Sequence, residues 1–247
     1  MEVLSFGKTD IGQKRSTNQD SICLIPKHHF FCVADGMGGH NGGDIASQMS
    51  VKLLDEFVNT NIKLQKDELM KKAFQHVNLE VFKYGESHEE LKGMGTTLTG
   101  IMIDDGQLYV GNVGDSRTYM INNNQLYQLT RDHSLVQEKL NLGIYNRMEA
   151  NLDQQKNVLI KTIGFEENVD IDVYRHKINK NDMFLMCSDG LHGKVSDADI
   201  IYIVNKEIPD PSQATIDQIE ACVTRLVDQA NANGGNDNIS VIIALTK

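Results

Sequence analysis

The length, charge and hydropathy of the chain set the first limits on its function. It has 247 residues, of which 40% are hydrophobic and 23% charged, which is enough for a well-packed core. Its 24 basic and 34 acidic side chains give a formal net charge of −10, which disfavours binding to a nucleic-acid backbone. The longest apolar runs, at 30–34 and 239–245, are far shorter than the roughly 20 residues of a membrane-spanning helix. We therefore expect partners other than nucleic acids and membranes.

The first residues and the cysteines both favour a cytoplasmic location. Residues 1–7 lack the basic start and the apolar block of a signal peptide. The four cysteines have no CxxC spacing, and three of them lie inside apolar runs, as small buried side chains do. We expect them to be reduced and structural.

In chain order, the predicted elements are short strands interrupted by blocks of helix. Runs rich in Val, Ile, Phe and Tyr predict ten strands, near 2–7, 21–26, 29–34, 96–103, 107–112, 116–121, 125–129, 171–178, 182–188 and 239–246. Apolar stripes predict helices over 46–58 and 69–81, between the third and fourth strands, and a third within 212–232. The three asparagines at 122–124 predict a tight hairpin, because Asn tolerates positive φ.

This order of elements indicates an α+β fold in which helices cover antiparallel sheets. The chain has no internal repeat, low-complexity segment or Pro-rich linker, so we expect a single domain over residues 1–247. Residues 135–164 show neither clean periodicity nor a turn pattern. They are predicted to form a mobile excursion from the domain.

Five aspartates occur where predicted strands begin or end. They are Asp20, Asp35, Asp115, Asp189 and Asp237. Carboxylates that converge at one end of a sheet repel each other unless a cation lies between them, and oxygen ligands favour Mg2+ or Mn2+. Any one of these aspartates could simply start a turn. Their repetition beside apolar strands favours a metal site.

The segment 35–43 has five glycines in nine residues directly before a predicted helix. Its backbone could approach an anion or an ion closely, and the helix N-terminus would add positive potential. No Gly-Lys-Ser/Thr sequence follows, and Asn41 occupies the third glycine position of the dinucleotide template. No arginine lies six residues after any cysteine, as a cysteine-dependent phosphatase would need. The segment is therefore not a known nucleotide loop.

Seven short motifs follow one another over nearly the whole chain: RSTNQD at 15–20, VADGMGGH at 33–40, GMGTT at 93–97, VGDSR at 113–117, TRDHS at 130–134, SDGL at 188–191 and DNIS at 237–240. In this order they resemble the signature of the metal-dependent type 2C Ser/Thr protein phosphatases in their bacterial form. Each motif alone is weak, but the ordered set is specific. The resemblance implies a four-layer α/β/β/α sandwich, with two central antiparallel sheets and a binuclear Mn2+ or Mg2+ centre at one end.

The resemblance also implies a ligand set. Asp35 would bridge the two ions, the Gly36 carbonyl would bind one, and Asp189 and Asp237 would bind the other. Asp115 with Asp189 would hold a third, weaker ion. Three carboxylates against two divalent ions leave a positive site that attracts a phosphate dianion. A metal-activated water would attack phosphorus in line, so no covalent enzyme intermediate is required.

Other matching residues would support this centre. Arg15 corresponds to the arginine that grips phosphate, and Asp20 to its acidic neighbour. Asn238 follows a ligand and is assigned a supporting role. Gln19 stands where relatives commonly have glutamate, so it keeps an oxygen but loses a charge.

Two departures concern the proton donor and the excursion. Met37 occupies the position of a histidine proposed as general acid in animal members, and His40 is the nearby candidate to protonate the leaving alkoxide. His133 is expected to be structural. Residues 135–164 correspond to the flap over the site but lack its expected His-Pro and Arg-Asn pattern, so substrate choice through the flap cannot be inferred.

The sequence thus predicts a phosphatase that acts on phosphoserine and phosphothreonine in proteins. We expect it to oppose a bacterial Ser/Thr kinase, which could itself be a substrate, and to be a monomer. Two alternatives stay open. A catalytically silent regulatory module would have little reason to retain Asp35, Asp189 and Asp237 together. A structural cation-binding protein is not supported by any Asp-x-Asn-x-Asp-Gly calcium loop.

Overall fold

Two antiparallel sheets lie face to face at the centre of the computed structural model, which describes residues 2–37, 42–155 and 157–247. The described residues form the strands β1 (Val3–Asp10), β2 (Asp20–Ile25), β3 (Phe30–Met37), β4 (Gly95–Thr96), β5 (Leu98–Asp104), β6 (Gln107–Val113), β7 (Arg117–Asn122), β8 (Gln125–Gln128), β9 (Asp172–Lys177), β10 (Met183–Cys187) and β11 (Ile239–Thr246). The first sheet has the order β1-β11-β10-β7-β8. The second has the order β2-β3-β5-β6-β9, with β4 added beside β3.

Helices cover the outer face of each sheet. The helices of the described residues are α1 (Gly43–Asn61), α2 (Lys66–Ser87), α3 (Leu135–Asn141), α4 (Arg147–Leu152), α5 (Asp189–His192), α6 (Asp197–Glu207) and α7 (Ile216–Ala232), of which α3 and α4 lie in the excursion 135–164. The apolar faces of α1 and α2 pack on the second sheet, and those of α6 and α7 pack on the first. The predicted four-layer α/β/β/α sandwich is confirmed.

Successive side chains of the central strands point to opposite faces of the sheet and build apolar cores on both faces. In β3, Phe30 and Cys32 contact the α1/α2 layer, whereas Phe31 and Val33 join a third apolar cluster between the sheets. Successive side chains of a strand point to opposite faces, so a strand buried on both sides reads as a continuous apolar run. This is why β3, β10 and β11 were recognisable as strands.

The predicted hairpin is present at residues 122–124. Asn122 pairs with Gln125, and Asn123 and Asn124 have φ angles of 49° and 59°. All ten predicted strands form. β3 runs further than predicted, to Met37, because its end pairs with β4. Asp35 and Gly36 therefore belong to the strand itself.

The helices that the sequence did not predict are short, with four to eleven residues each. Helix α6 buries only Ile200, Ile203 and Val204 and is fixed at its start by Ser196, whose side chain accepts a hydrogen bond from the Asp199 N–H. Within the excursion 135–164, predicted to lack regular structure, α3 and α4 begin at side-chain caps. Caps satisfy the free N–H groups of a first turn, so short helices form without a buried face.

Two further features concern the state of the cysteines and the apolar content of the described helices. All four cysteines are free thiols, and three of them are buried. In the described part of the chain, no helix has both the length and the apolar content needed to span a bilayer.

Candidate active site

One cleft of about 680 Å3 lies at the end of the sandwich where β2, β3, β10 and β11 meet. It is lined by eight of the ten predicted site residues: Arg15, Gln19, Asp35, Gly36, Asp115, Asp189, Asp237 and Asn238. Asp20 lies behind its wall. His40 lies outside the described residues, so the sequence hypothesis for it remains a hypothesis.

The pairing of β2 with β3 sets the inner wall of the cleft. Asp20 lies directly opposite Asp35 in the register of these strands, and the Gly36 N–H donates to the Gln19 carbonyl at 3.1 Å. A Cβ on Gly36 would lie 2.0 Å from the Gly43 carbonyl oxygen. Only glycine therefore lets the start of α1 pack this closely against β3.

Thr97 ties Asp35 to the neighbouring loop. The Asp35 N–H donates to Thr97 Oγ1 at 3.1 Å, and the Asp35 carbonyl accepts from the Thr97 N–H at 2.8 Å. Thr97 Oγ1 also lies 2.7 Å from Ser116 Oγ. Thr97 belongs to the GMGTT motif, and its role is to hold the backbone beneath two acidic residues, Asp35 and Asp115.

Asp20 is a buried carboxylate that joins the two sheets. Ser188 Oγ donates to Asp20 Oδ2 at 2.7 Å, and Ser188 Oγ accepts from the Ser240 N–H at 3.0 Å. Asp20 Oδ1 is buried without a hydrogen-bond partner among the described residues. Burial raises the pKa of Asp20 to about 7, although the hydroxyls of Ser188 and Ser240 lower it. A buried carboxylate oxygen without a hydrogen-bond partner is consistent with a cation bound nearby.

Three further carboxyls in the cleft resist ionisation. Burial and the charges of Asp20 and Asp189 raise the pKa of Asp35 well above its ordinary value. Burial and Asp237 raise the pKa of Asp189 to about 6, although a hydrogen bond from Asp35 lowers it. Burial and Asp189 raise the pKa of Asp115 to about 7. Like charges in a desolvated site have this effect, and a bound cation reverses it.

Asp237 and Asn238 connect the two ends of the chain. Arg15 Nη2 donates to Asp237 Oδ2 at 2.7 Å, and the Asn238 N–H donates to Asp237 Oδ1 at 2.9 Å. The Asn238 amide donates to the carbonyls of Ile11 and Thr17 and accepts from the Gln19 N–H, all within 3.0 Å. Asn238 therefore fixes the segment that carries Arg15.

Close backbone packing places Asp189 beside Asp237. A Cβ on Gly190 would lie 1.9 Å from the Asn238 carbonyl oxygen, so only glycine allows the start of α5 to approach the start of β11. The SDGL motif needs its glycine for this contact. Asp189, at the first position of α5, is thereby held at the mouth of the cleft.

Two histidines hold the loop that carries Asp115. His133 Nδ1 accepts from the Gly114 N–H at 3.1 Å, which accords with the structural role expected for His133. His192 Nε2 lies 3.1 Å from the Asp115 carbonyl oxygen. Burial and Arg117 lower the pKa of His192 to about 3, so the ring is neutral and Nε2 carries the donated hydrogen.

The predicted ligand residues line the cleft but do not form a closed cage. Within residues 2–37, 42–155 and 157–247, no three His, Cys, Asp or Glu side chains form a ready-made ion-binding group. The donor set still fits Mn2+ or Mg2+, because these ions take few carboxylates and complete their shells with carbonyl oxygen and water. The Gly36 carbonyl, predicted as such a donor, lines the cleft.

Eight lining residues were not predicted from the sequence as parts of the site: Lys14, Ser16, Thr17, Met37, Asp44, Thr97, Asn157 and Leu159. Asp44 lies in the first turn of α1, directly after the glycine-rich segment, and an acidic residue at that position was a usable signal. Asn157 and Leu159 come from the excursion 135–164. No local pattern could have placed them beside Asp35.

Known proteins resemble this chain in sequence and in fold. A family model described as Protein phosphatase 2C matches residues 11–139. The serine/threonine phosphatase stp of Listeria innocua is 37% identical over 243 residues, covering 96% of this chain and 93% of that protein. The chain belongs to the protein phosphatase 2C family. The resemblance inferred from the seven motifs is confirmed.

Solved structures agree with the protein phosphatase 2C assignment. The crystal structure of Mycobacterium tuberculosis serine/threonine phosphatase PstP/Ppp has a TM-score of 0.89 and 28% identity, over 100% of both chains. The catalytic domain of PstP in complex with two manganese ions has a TM-score of 0.85 and 28% identity, over 98% of this chain and 97% of that one. As a protein phosphatase 2C, the chain is a Ser/Thr protein phosphatase and a metal-dependent hydrolase whose cofactor is Mn2+ or Mg2+.

Proposed function

We propose that the chain hydrolyses phosphoserine and phosphothreonine esters of proteins in the cleft between the ends of the two sheets. One observation carries this location: three predicted ligand carboxylates, the Gly36 carbonyl and a predicted phosphate-binding arginine line one cavity. They come from segments that are far apart in the chain. Their convergence supports one catalytic centre.

Asp35, Asp189 and Asp237 are the proposed ligands of two Mn2+ or Mg2+ ions, with the Gly36 carbonyl as a further donor. When bound, these ions supply Lewis-acid activation of a water nucleophile and of the phosphoryl oxygens. Asp115, beside Asp189, is the proposed carboxylate of a third, weaker ion. The raised pKa values of Asp35, Asp115 and Asp189 support this assignment, because each carboxylate gains from a nearby positive charge.

Arg15 is the proposed phosphate-binding side chain. It lies at the rim, about half exposed, and its guanidinium is held toward the cleft by Asp237. A guanidinium has five donors, so a bond to Asp237 leaves others for two phosphoryl oxygens. Such contacts orient the ester and stabilise charge on the phosphoryl group as the bond to the leaving oxygen breaks.

Buried polar residues keep this arrangement in place. Asp20, through Ser188, fixes the ends of β2 and β10 relative to each other. Asn238 fixes the segment that bears Arg15. We propose that Gln19 supports the ligands as an uncharged oxygen at the cleft wall. These residues limit the motion of the groups that react. Residues behind the proposed ligands contribute to the rate of hydrolysis in this way, without touching the substrate.

The wider role follows from the chemistry of the substrate. A Ser/Thr protein phosphatase needs a kinase to make its phosphoesters, so we propose that it opposes a Ser/Thr kinase, whose own phosphorylated residues could be substrates.

Free cysteines support a reducing, cytoplasmic setting. The apolar cluster shared by both sheets supports a single domain over residues 1–247. A monomer is the proposed oligomeric state.

One set of assays tests the catalytic proposal. Aryl phosphate and peptides with phosphothreonine, phosphoserine or phosphotyrosine are incubated with Mn2+, with Ca2+ or with a chelator. We expect turnover with Mn2+, loss after chelation, and a preference for the Ser and Thr esters over the Tyr ester. Asp228→Asn, an exposed change on α7, is the matched control for Asp35→Asn. Metal-dependent stability without turnover would contradict the proposal.

A further inference from the structure

An apolar groove of about 430 Å3 opens beside the catalytic cleft. Its lining includes Met37, Leu159, Ile160, Phe165 and Val169. Met37 and Leu159 also line the catalytic cleft, so the two cavities share a wall. A longer chain with one residue in the cleft can therefore extend into the groove.

The groove presents large apolar side chains to solvent. Ile160 is 47% exposed and Phe165 is 63% exposed. Exposed apolar surface that gathers in a concave site commonly marks a contact with a ligand or another protein. Burial of such side chains by an apolar group would be favourable.

The wall that carries Phe165 is held in place from behind. The buried Asn78 amide donates to the carbonyls of Glu166 and Glu167, both at 3.0 Å, and Asn78 Oδ1 accepts from the Gly164 N–H at 2.8 Å. Ile163 exchanges two backbone hydrogen bonds with Thr96, at 2.9 and 3.0 Å. A preformed wall loses little conformational entropy when it binds a ligand.

Charge at the groove favours an apolar occupant. Lys161 Nζ lies 3.2 Å from Asp170 Oδ2, and both residues line the groove. The lysine is therefore paired at the rim of the groove, and Glu166 adds a second carboxylate to the lining, so the groove disfavours an acidic side chain. The remaining attraction is the apolar surface of Ile160 and Phe165.

We propose that this groove binds a large apolar side chain of the phosphoprotein substrate, one that flanks the phosphoserine or phosphothreonine. The inference rests on the proposed function, because the phosphoryl group must lie in the catalytic cleft. An extended chain advances about 3.3 Å per residue, and the two cavities share a wall, so a residue within about four positions of the phosphoresidue can reach the groove. The enzyme should therefore prefer substrates with Leu, Ile, Phe or Met at such a position.

Phosphothreonine peptides test this preference. In an alanine background, one residue at a time is changed to Leu or to Ser, at each of about four positions on either side of the phosphothreonine. We expect kcat/KM to be about tenfold higher for the Leu peptide than for the Ser peptide at one or more positions, mainly through KM. Circular dichroism and thermal unfolding check the fold of each variant used below.

Variants connect the preference to the groove. Phe165→Ser should bring the Leu/Ser ratio close to one, whereas Phe165→Leu should retain most of it. Tyr202→Ser, which removes a 66% exposed aromatic from α6 on the other sheet, should leave the ratio at the wild-type value. A ratio, unlike a rate, is insensitive to general loss of active protein.

Three outcomes would overturn the proposal. One is equal kcat/KM for the Leu and Ser peptides at every position, and another is an unchanged ratio in Phe165→Ser, each with aryl phosphate turnover intact. The third is self-association in sedimentation that Phe165→Ser abolishes, which would assign the groove to a second copy. Failure of the wild type to hydrolyse aryl phosphate would instead contradict the proposed function itself.

Discussion

Arg15 and Asp237, which are 222 residues apart, form a hydrogen-bonded ion pair with Nη2 and Oδ2 separated by 2.7 Å. The two side chains are 49% and 35% exposed, so solvent screens the pair and its contribution to stability is small. Its importance is positional, because it places a proposed phosphate-binding group against a proposed metal ligand. Changes at either residue should affect catalysis much more than folding.

Arg15→Ala is expected to raise KM for phosphate esters and to lower kcat, with a loss of about 10- to 100-fold in kcat/KM. The guanidinium contacts phosphoryl oxygens in both the ground state and the transition state. The melting temperature should hardly change, because the ion pair is exposed. Arg15→Lys, which keeps the charge but not the planar fork, should recover part of the activity. Unchanged kcat/KM in Arg15→Ala would restrict Arg15 to holding the N-terminal segment.

Asp35→Asn and Asp237→Asn are each expected to lower Mn2+-dependent turnover by at least about 100-fold while the protein stays folded. Each removes one negative charge from the ligand set. Burial and neighbouring carboxylates already disfavour the charged form of Asp35, so its neutral replacement should not lower the melting temperature in chelator. Calorimetric titration with Mn2+ and thermal unfolding check both statements. Near-wild-type turnover in either variant would remove that residue from the metal centre.

Asp115→Ala is expected to leave the tight binding of two Mn2+ ions intact in calorimetry. It should lower turnover of a phosphothreonine peptide more than that of an aryl phosphate, whose leaving group needs less protonation. The reason is that a third ion held by Asp115 and Asp189 has fewer carboxylates, binds more weakly and keeps water available to protonate the leaving oxygen. Equal losses with both substrates would show that Asp115 acts structurally or in the main pair.

Stability in chelator should fall as the pH rises from about 6.5 to about 8. Burial raises the pKa of Asp115 and of Asp20 from 3.8 to about 7 in the folded protein. A carboxyl with a raised folded-state pKa stabilises the fold below its unfolded value, and that contribution disappears as the pH passes the folded value. His192 has the opposite effect, mainly below its ordinary pKa of 6.5, so it offsets only part of the fall at the lower end of this window.

Thermal unfolding in chelator at several pH values measures this loss, and excess Mn2+ should restore the melting temperature most at the highest pH. Asp115→Asn removes one titrating group and should flatten the profile, with Asp228→Asn as the exposed control. A melting temperature that rises with pH across this window would contradict the assignment of raised pKa values to the cleft.

The sequence alone determined the strands and most of the candidate site. A strand such as β3 is buried on both faces, so its apolar run is visible locally, and the asparagines at 122–124 adopt the positive φ angles of a tight hairpin. Aspartates at strand ends, in the order of seven motifs, identified the family and eight residues of one cleft. These features depend on neighbours in the chain, which is why they could be predicted.

Only the tertiary structure decided how these residues act together. Asp20 is a buried link to Ser188 because the ends of β2 and β10 meet where the two sheets pack together. Asn238 anchors the Arg15 segment because β1 and β11 pair, although they lie at opposite ends of the chain. The capped helices α3 and α4 have little apolar periodicity, and Leu159 reaches the cleft from the same excursion. Such contacts depend on strand register and packing between distant segments, and the free energy that selects them has no signature in a local stretch of sequence.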